Sequence, residues 1–420
     1  MSKSEVDIQL ELLRLGIEVS KFKEKIKNMT PSYTPKISLG DKESLELLDN
    51  KIKRVDLFSP NVSDCSVASI DTSSKILRTT FLDLVVVGGT LYSTERDKIV
   101  FPFDAGGRYL GIASYLELIR TLKSSLNSPD LAFHNVLGYE FALDEVDVVT
   151  KEGVKRESLY HLDDVADELR LEAENVLIRQ VKEKLLVLDG PLFPTPIELS
   201  YSFQFGIPEE KDKIKHWGRL THRWAYAALI KERLELIKGK DVVGVVKRLE
   251  NSKKLKKTKG IANLIGSISV PDLSDAEILE LISETQCSSV IGLCLVGPLE
   301  IKSEIYVKRE DTDQVILEPK DIPTRYAYYA ILKIPSGVQS FFRVESTSQT
   351  VLDSSIGVIF SNITSDILPT YISVVDNYSK RVAKSLFYIS FNVLKDFITI
   401  LHDSKLEAIS ISKEISSGLA

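Results

Sequence analysis

Leu185-Leu186-Val187-Leu188-Asp189-Gly190-Pro191 is the stretch on which the reading of this chain turns. Four apolar residues stand in a row with no polar alternation, then an Asp and two turn residues stop the run. A strand with one wet face alternates apolar and polar residues, whereas a strand covered on both faces does not. The stretch therefore predicts a buried central strand. On its N-terminal side, Leu162 to Lys184 predicts a helix, because Val165, Ala166, Leu169, Ala173, Val176 and Leu177 recur at helical spacing. On its C-terminal side a second long helix is predicted over 212–237, followed by another buried strand, Val242-Val243-Gly244-Val245-Val246, ending at Lys247. Strands alternating with helices imply parallel strands joined by crossovers.

Further upstream the pattern changes. Ser66-Val67-Ala68-Ser69-Ile70 predicts a strand ending at Asp71, and after the polar Thr72-Ser73-Ser74-Lys75 comes Phe81 to Val87, closed by Gly88-Gly89. With the β-rich runs Lys98 to Phe103 and Val136 to Leu143, this reads as a mostly antiparallel meander. Downstream, 274–286 reads as helix, several β runs fall between 289 and 361, and a final helix is predicted from about Val374 to His402. Residues 4–28 predict an amphipathic helix with Val6, Leu10, Leu13, Ile17 and Phe22 as its apolar stripe. Asn28 and Pro31 end it, so it reads as an arm packing on a neighbour or a second subunit. The expected class is α/β: a mixed sheet flanked by helices, with an N-terminal helical arm (1–40). The main domain (41–420) carries a β-rich insertion at about 289–361.

The 420 residues are 43% hydrophobic and 27% charged, a composition that supports a sizeable core and argues against wholesale disorder. Cys65, Cys287 and Cys294 form no CxxC pair, which excludes a cysteine-rich zinc module and suggests a reducing compartment. Apolar runs such as Phe81 to Gly89 are too short to span a bilayer, so a cytoplasmic protein is expected. The net charge of −6 does not suggest a nucleic-acid binder. Local clusters matter more than net charge for phosphate contacts, and Lys247, Arg248, Lys253, Lys254, Lys256, Lys257 and Lys259 form one. The alternative for this cluster is a solvated loop or helix face.

Asp71 and Asp189 each stand at the predicted end of an apolar strand. There a carboxylate can leave the core while its backbone stays rigid; an Asp in that place also serves simply to start a turn. Glu172 lies at the edge of the apolar stripe of the Leu162 to Lys184 helix. A buried carboxylate without a partner is costly. A cation shared with the two aspartates removes that cost, and so does a salt bridge to Lys247 or Arg170. Three carboxylates suit hard divalent ions, and two such ions can activate water and stabilise the leaving oxygen in phosphodiester cleavage. Lys247 is placed to steady a phosphate. No GxxxxGK[ST] stretch, HExxH or GxSxG is present, and His134, His161, His216, His222 and His402 are scattered.

The order of these segments resembles the NurA nuclease family of archaeal DNA-end processing. The matching pieces are Ser69-Ile70-Asp71-Thr72-Ser73-Ser74, Arg170-Leu171-Glu172, Leu186-Val187-Leu188-Asp189-Gly190-Pro191-Leu192 and Val243-Gly244-Val245-Val246-Lys247-Arg248. Leu368-Pro369-Thr370-Tyr371-Ile372-Ser373-Val374-Val375-Asp376 completes the set. The resemblance implies an RNase H-like core with manganese or magnesium, as two ions, at Asp71, Glu172 and Asp189. It implies a homodimer working with a HerA-type hexameric translocase in recombinational double-strand break repair. The activity implied is 5′ to 3′ exonuclease, with single-strand endonuclease activity beside it. Lys247, Arg248, Lys253, Lys254, Lys256 and Lys257 would contact DNA. The family often has Tyr where this chain has Leu368 and His where it has Asp376, which leaves Asp376 as a further catalytic or metal-binding carboxylate. A non-catalytic paralogue that binds DNA or docks the translocase is the alternative, and an unrelated hydrolase of small phosphate esters is a third.

Overall fold

The computed structural model describes the chain apart from residues 1–3, 24–35, 39–42, 50, 56–64, 115, 135–144, 151–152, 159–161, 196–203, 206–212, 259, 262–263, 265–273, 288–290, 304, 310–311, 313 and 418–420. Its main sheet has twelve strands. In chain order they are β1 (Glu43–Leu47), β2 (Lys53–Val55), β3 (Val67–Arg78), β4 (Leu82–Ser93), β5 (Ile99–Phe101), β6 (Leu110–Ser114), β7 (Leu131–His134), β8 (Leu185–Asp189), β9 (Asp241–Val246), β10 (Gly292–Ser303), β11 (Arg325–Lys333) and β12 (Gln339–Ser346). The helices are α1 (Glu5–Lys23), α2 (Leu116–Leu126), α3 (Leu162–Arg179), α4 (Lys213–Ile237), α5 (Asp275–Gln286), α6 (Gln349–Ile359), α7 (Thr370–Leu394) and α8 (His402–Ser416). Across the sheet the order is β1-β10-β11-β12-β9-β8-β3-β4-β6-β7, with β2 also on β10 and β5 on β4.

β8 sits in the middle, parallel to β3 on one side and to β9 on the other. Leu185, Leu186, Val187 and Leu188 are all buried, as a continuous apolar run requires when helices cover both faces. Gly88 and Gly89 in β4 show how closely those helices approach. A Cβ on Gly88 would lie 2.6 Å from the Ala383 nitrogen of α7, and one on Gly89 would lie 3.1 Å from Leu177 Cδ1 of α3. Successive residues of a strand point to opposite faces, so α7 covers one face and α3 the other. α4 packs outside α3.

Several expectations change. β3 does not end at Asp71 but runs on to Arg78, paired antiparallel with β4 throughout. The polar Thr72–Lys75 segment stays in the strand because side chains on the flanking helices partner it: Thr72 Oγ1 donates to Glu174 Oε1 at 2.9 Å, and Lys75 pairs with Glu407 of α8 at 2.5 Å. The final helix, expected as far as His402, ends at Leu394, and a further helix, α8, follows from His402. Between α7 and α8 the chain turns so that Ile400 bridges Thr79 and Leu401 N–H donates to the Arg78 carbonyl. The β-rich segment 289–361 extends the main sheet, since β12 pairs antiparallel with β9, and it includes a helix, α6, whose cap is Ser348. Val136 to Leu143 falls outside the described residues.

The N-terminal helix is packed on its own chain, against α2 and α7. It does so through Ile8, Leu12 and Leu15, while Val6, Leu10, Leu13 and Ile17, the stripe the sequence singles out, face outward. α1 is apolar on two opposite sides, and periodicity alone cannot choose between them. Cys287 and Cys294 form a disulfide, so the expectation of reduced thiols does not hold for that pair; Cys65 is free. No helix among the described residues is long and apolar enough to cross a membrane.

The turn after β8 crosses directly over β9. Gly190, at φ +132°, donates its N–H to the Val245 carbonyl at 2.9 Å. A Cβ on Gly244 would sit 2.7 Å from the Gly190 oxygen and 2.8 Å from the Leu192 nitrogen, both backbone atoms that cannot move aside cheaply. Gly244→Ala is therefore expected to lower the unfolding free energy by about 1–3 kcal/mol through overpacking, measured by urea denaturation.

Candidate metal centre

Three aspartates from three separate elements meet at the C-terminal end of β8. Asp71 comes from within β3, Asp189 ends β8, and Asp376 lies in the second turn of α7. One carboxylate oxygen of each lies within 4.8 Å of the others. The parallel register Leu188↔Ile70 brings Asp189 and Asp71 alongside each other. α7 then lays Asp376 over the strand ends, and from its next turn the buried Ser379 hydroxyl donates to Asp71 Oδ2.

The cations nearby come from the chain itself. Lys247, just past β9, donates from Nζ to Asp189 Oδ2 at 2.6 Å and to Asp376 Oδ1 at 2.7 Å. Lys380 donates to Asp376 Oδ2 at 2.6 Å. These two ammonium groups outweigh the effect of burial on Asp376 and hold its carboxyl below the usual carboxylate range. Asp71 is different: burial, then the charge of Asp189, pushes it up to about 8. Burial also raises Asp189, to about 6, against the pull of Lys247. At neutral pH Asp71 is therefore held protonated, while Lys247 and Lys380 face the two carboxylates that ionise, Asp189 and Asp376. An all-oxygen donor set of three carboxylates, one of which a bound cation would return to its ionised form, fits a hard divalent cation.

Glu172 is not part of this group. It turns to the outer flank of α3 and pairs with Arg108, Nη2 to Oε2 at 2.6 Å and Nε to Oε1 at 2.9 Å. The α3 carboxylate on the side of the aspartates is Glu174, whose charge acts on both Asp71 and Asp189. Its Oε1 accepts from Thr72 and its Oε2 from Arg233 Nη2 at 2.7 Å. Glu172 and Glu174 stand on opposite flanks of the helix's apolar stripe, and the repeat that reveals the stripe does not say which flank faces the strand ends. Ser379 and Lys380 were also missed. They follow Asp376 by three and four residues, the spacing that puts side chains on one helix face, and that was the available signal.

The basic stretch divides. Arg248, Lys253, Lys256 and Lys257 are exposed. Lys254 turns inward to an ion pair with Glu43 and is pulled down to about 8, mainly by burial, so it is not presented to a ligand. The inward turn is fixed by Leu255, fully buried, with its N–H donating to Asp275 Oδ1 at 2.7 Å.

A family model described as the NurA domain matches residues 65–381. No protein of curated function matches the chain. Among solved structures, the chain is similar to the NurA nuclease from Sulfolobus solfataricus, at 11% identity and TM-score 0.37, covering 84% of this chain and 88% of that one. It is also similar to a NurA structure with manganese (11% identity, TM-score 0.38, 80% of this chain and 90% of that one). A third is NurA bound to dAMP and manganese (10% identity, TM-score 0.38, 77% of this chain and 85% of that one).

Because Asp71 has a raised pKa in the fold, the sign of its effect on stability is set. Its neutral form is favoured in the native state, so its contribution is fully present below about pH 4 and is lost as pH rises toward 8. In metal-free protein, Asp71→Asn should raise Tm by a few degrees at pH 8 and leave it little changed at pH 4, measured by calorimetry in EDTA. An equal shift at both pH values would mean that the charge at Asp71 is not the cause.

Proposed function

Since the chain belongs to the NurA family, we propose that it is a divalent-metal-dependent DNA nuclease that cleaves phosphodiester bonds at Asp71, Asp189 and Asp376. The observation that carries this reading is the convergence of those three carboxylates within 4.8 Å at the end of the central strand. The run β6-β4-β3-β8-β9, antiparallel as far as β3 and parallel beyond it, supports reading the core as RNase H-like.

Asp71, Asp189 and Asp376 are the proposed ligands of manganese or magnesium, as one or two ions, and Glu174 takes the place that the sequence reading gave to Glu172. The bound metal would supply an activated water and charge stabilisation for the leaving oxygen. Ser379 fixes the Asp71 carboxylate in one orientation. Lys247 bridges Asp189 and Asp376 in the metal-free site and is the side chain best placed to meet a phosphate oxygen. Arg248, Lys253, Lys256 and Lys257 are proposed to track the DNA backbone.

The finer parts of the proposal rest on family membership. They are 5′ to 3′ exonuclease action with single-strand endonuclease activity, a homodimer, and work beside a HerA-type hexameric translocase in recombinational double-strand break repair. The absence of a P-loop sequence agrees with an ATPase on a separate chain. The proposed setting is the cytoplasm; the sulfurs of the Cys287–Cys294 disulfide belong to residues only 1% exposed, which shields them from reductants.

A second reading, a non-catalytic DNA-binding or docking paralogue, is favoured by one feature. Leu368 is packed against a hydrophobic cluster rather than offering a hydroxyl.

Degradation of end-labelled single- and double-stranded DNA with manganese, magnesium or EDTA tests the main reading. Activity should require the metal and fall to background in Asp71→Ala and Asp189→Ala. Glu174→Gln should lose most of it and Glu172→Gln little. An inactive wild type in manganese, with the cognate translocase added, would favour the second reading. In a salt titration of DNA binding, changing Lys253, Lys256 and Lys257 together to Ala should reduce the slope of log K against log salt by about 2–3. An unchanged slope would place the DNA path elsewhere.

A further inference from the structure

Leu192, three residues beyond Asp189, is held by buried charged side chains at both of its backbone polar groups. Its N–H donates to Glu345 Oε1 at 3.0 Å. Its carbonyl accepts from Arg233 Nη1 at 3.4 Å. Glu345 can reach because it is the cross-strand partner of Gly244, over which the turn passes. Arg233, on α4, is fully buried. Besides Leu192, it donates from Nη2 to the Leu171 carbonyl at 3.4 Å and to Glu174 Oε2 at 2.7 Å, and from Nε to Asn175 Oδ1 at 2.6 Å. One guanidinium therefore ties together the turn that follows Asp189 and the stretch of α3 that carries Glu174.

We propose that Arg233 is a positioning residue of the metal centre, setting the separation of Asp189 and Glu174 although it contacts no substrate. The assignment rests on the nuclease reading above. The planar fork is what the task needs, because it presents donors in several fixed directions at once. A lysine can neutralise Glu174 but has a single ammonium and cannot also grip Leu192, Leu171 and Asn175. Groups that orient metal ligands from behind commonly set affinity by about 10- to 100-fold. A purely structural Arg233 would instead show its loss in stability alone, with the folded fraction binding metal normally.

The test uses the full chain. Mn2+ binding is followed by the loss of the free-ion electron paramagnetic resonance signal, beside Tm and steady-state cleavage of labelled DNA. Arg233→Lys is expected to fold, to bind Mn2+ about 10- to 100-fold more weakly, and to lose kcat at saturating DNA with KM for DNA little changed. If Arg233→Lys does not fold, Asn175→Ala, which frees the guanidinium's Nε while leaving its charge paired with Glu174, is judged by the same criterion. Wild-type Mn2+ affinity and kcat in the folded variant overturn the assignment while leaving the nuclease reading intact. A wild-type chain that binds no Mn2+ overturns both.

Discussion

Buried negative charge at the end of an apolar strand is the constraint around which much of this structure is arranged. Asp71, Asp189 and Asp376 lie close together with little solvent to separate their charges. Taking carboxylates out of water is unfavourable by several kcal/mol each unless partners are supplied. The chain supplies them incompletely. Lys247 and Lys380 are committed to Asp376, with Lys247 shared by Asp189, while Asp71 has a serine hydroxyl as its main local support. The raised pKa values of Asp71 and Asp189 measure that shortfall. A purely structural ion-pair network tends to close its charges. This one stays open on the side of Asp71.

A contrast within the same molecule sharpens the point. Glu43, Glu345, Arg325, Arg343 and Lys254 also form a buried charged group, across β1, β11, β12 and the basic stretch. Here cations face both carboxylates, and Glu43 and Glu345 are held below the usual carboxylate range despite burial. That network leaves no room for an added cation to gain anything. Its Glu345 instead holds the Leu192 backbone. Two buried charged clusters of one molecule thus differ in how completely their charges are matched.

The sequence revealed the parts of the fold that are local and strongly patterned. β8, α3, α4 and β9 fall close to where periodicity puts them, because a both-faces-covered strand and an amphipathic helix each leave a direct mark. Asp71 and Asp189 were legible for the same reason, as carboxylates interrupting apolar runs. What was hidden depends on partners distant in sequence. β3 continues through Thr72–Lys75 only because Glu174 and Glu407 lie beside it. Lys254 leaves the basic surface because of Glu43, more than two hundred residues upstream. The break between α7 and α8 carries no glycine or proline, and follows from the pairing of Ile400 and Leu401 with the end of β3.

The choice between Glu172 and Glu174 shows the limit most clearly. Both lie beside the apolar stripe, and both find a guanidinium in the fold. Arg108 is half-exposed and meets Glu172 at the outer flank of the helix. Arg233 is fully buried, and it meets Glu174 while also holding the turn that follows Asp189. An exposed pair of the first kind adds little to stability and constrains little else. A buried, multiply bonded guanidinium fixes the relative position of everything it touches. The distinction between a half-exposed ion pair and a buried, multiply bonded one was therefore made by α4, not by α3. It became readable only once the second long helix was packed against the first.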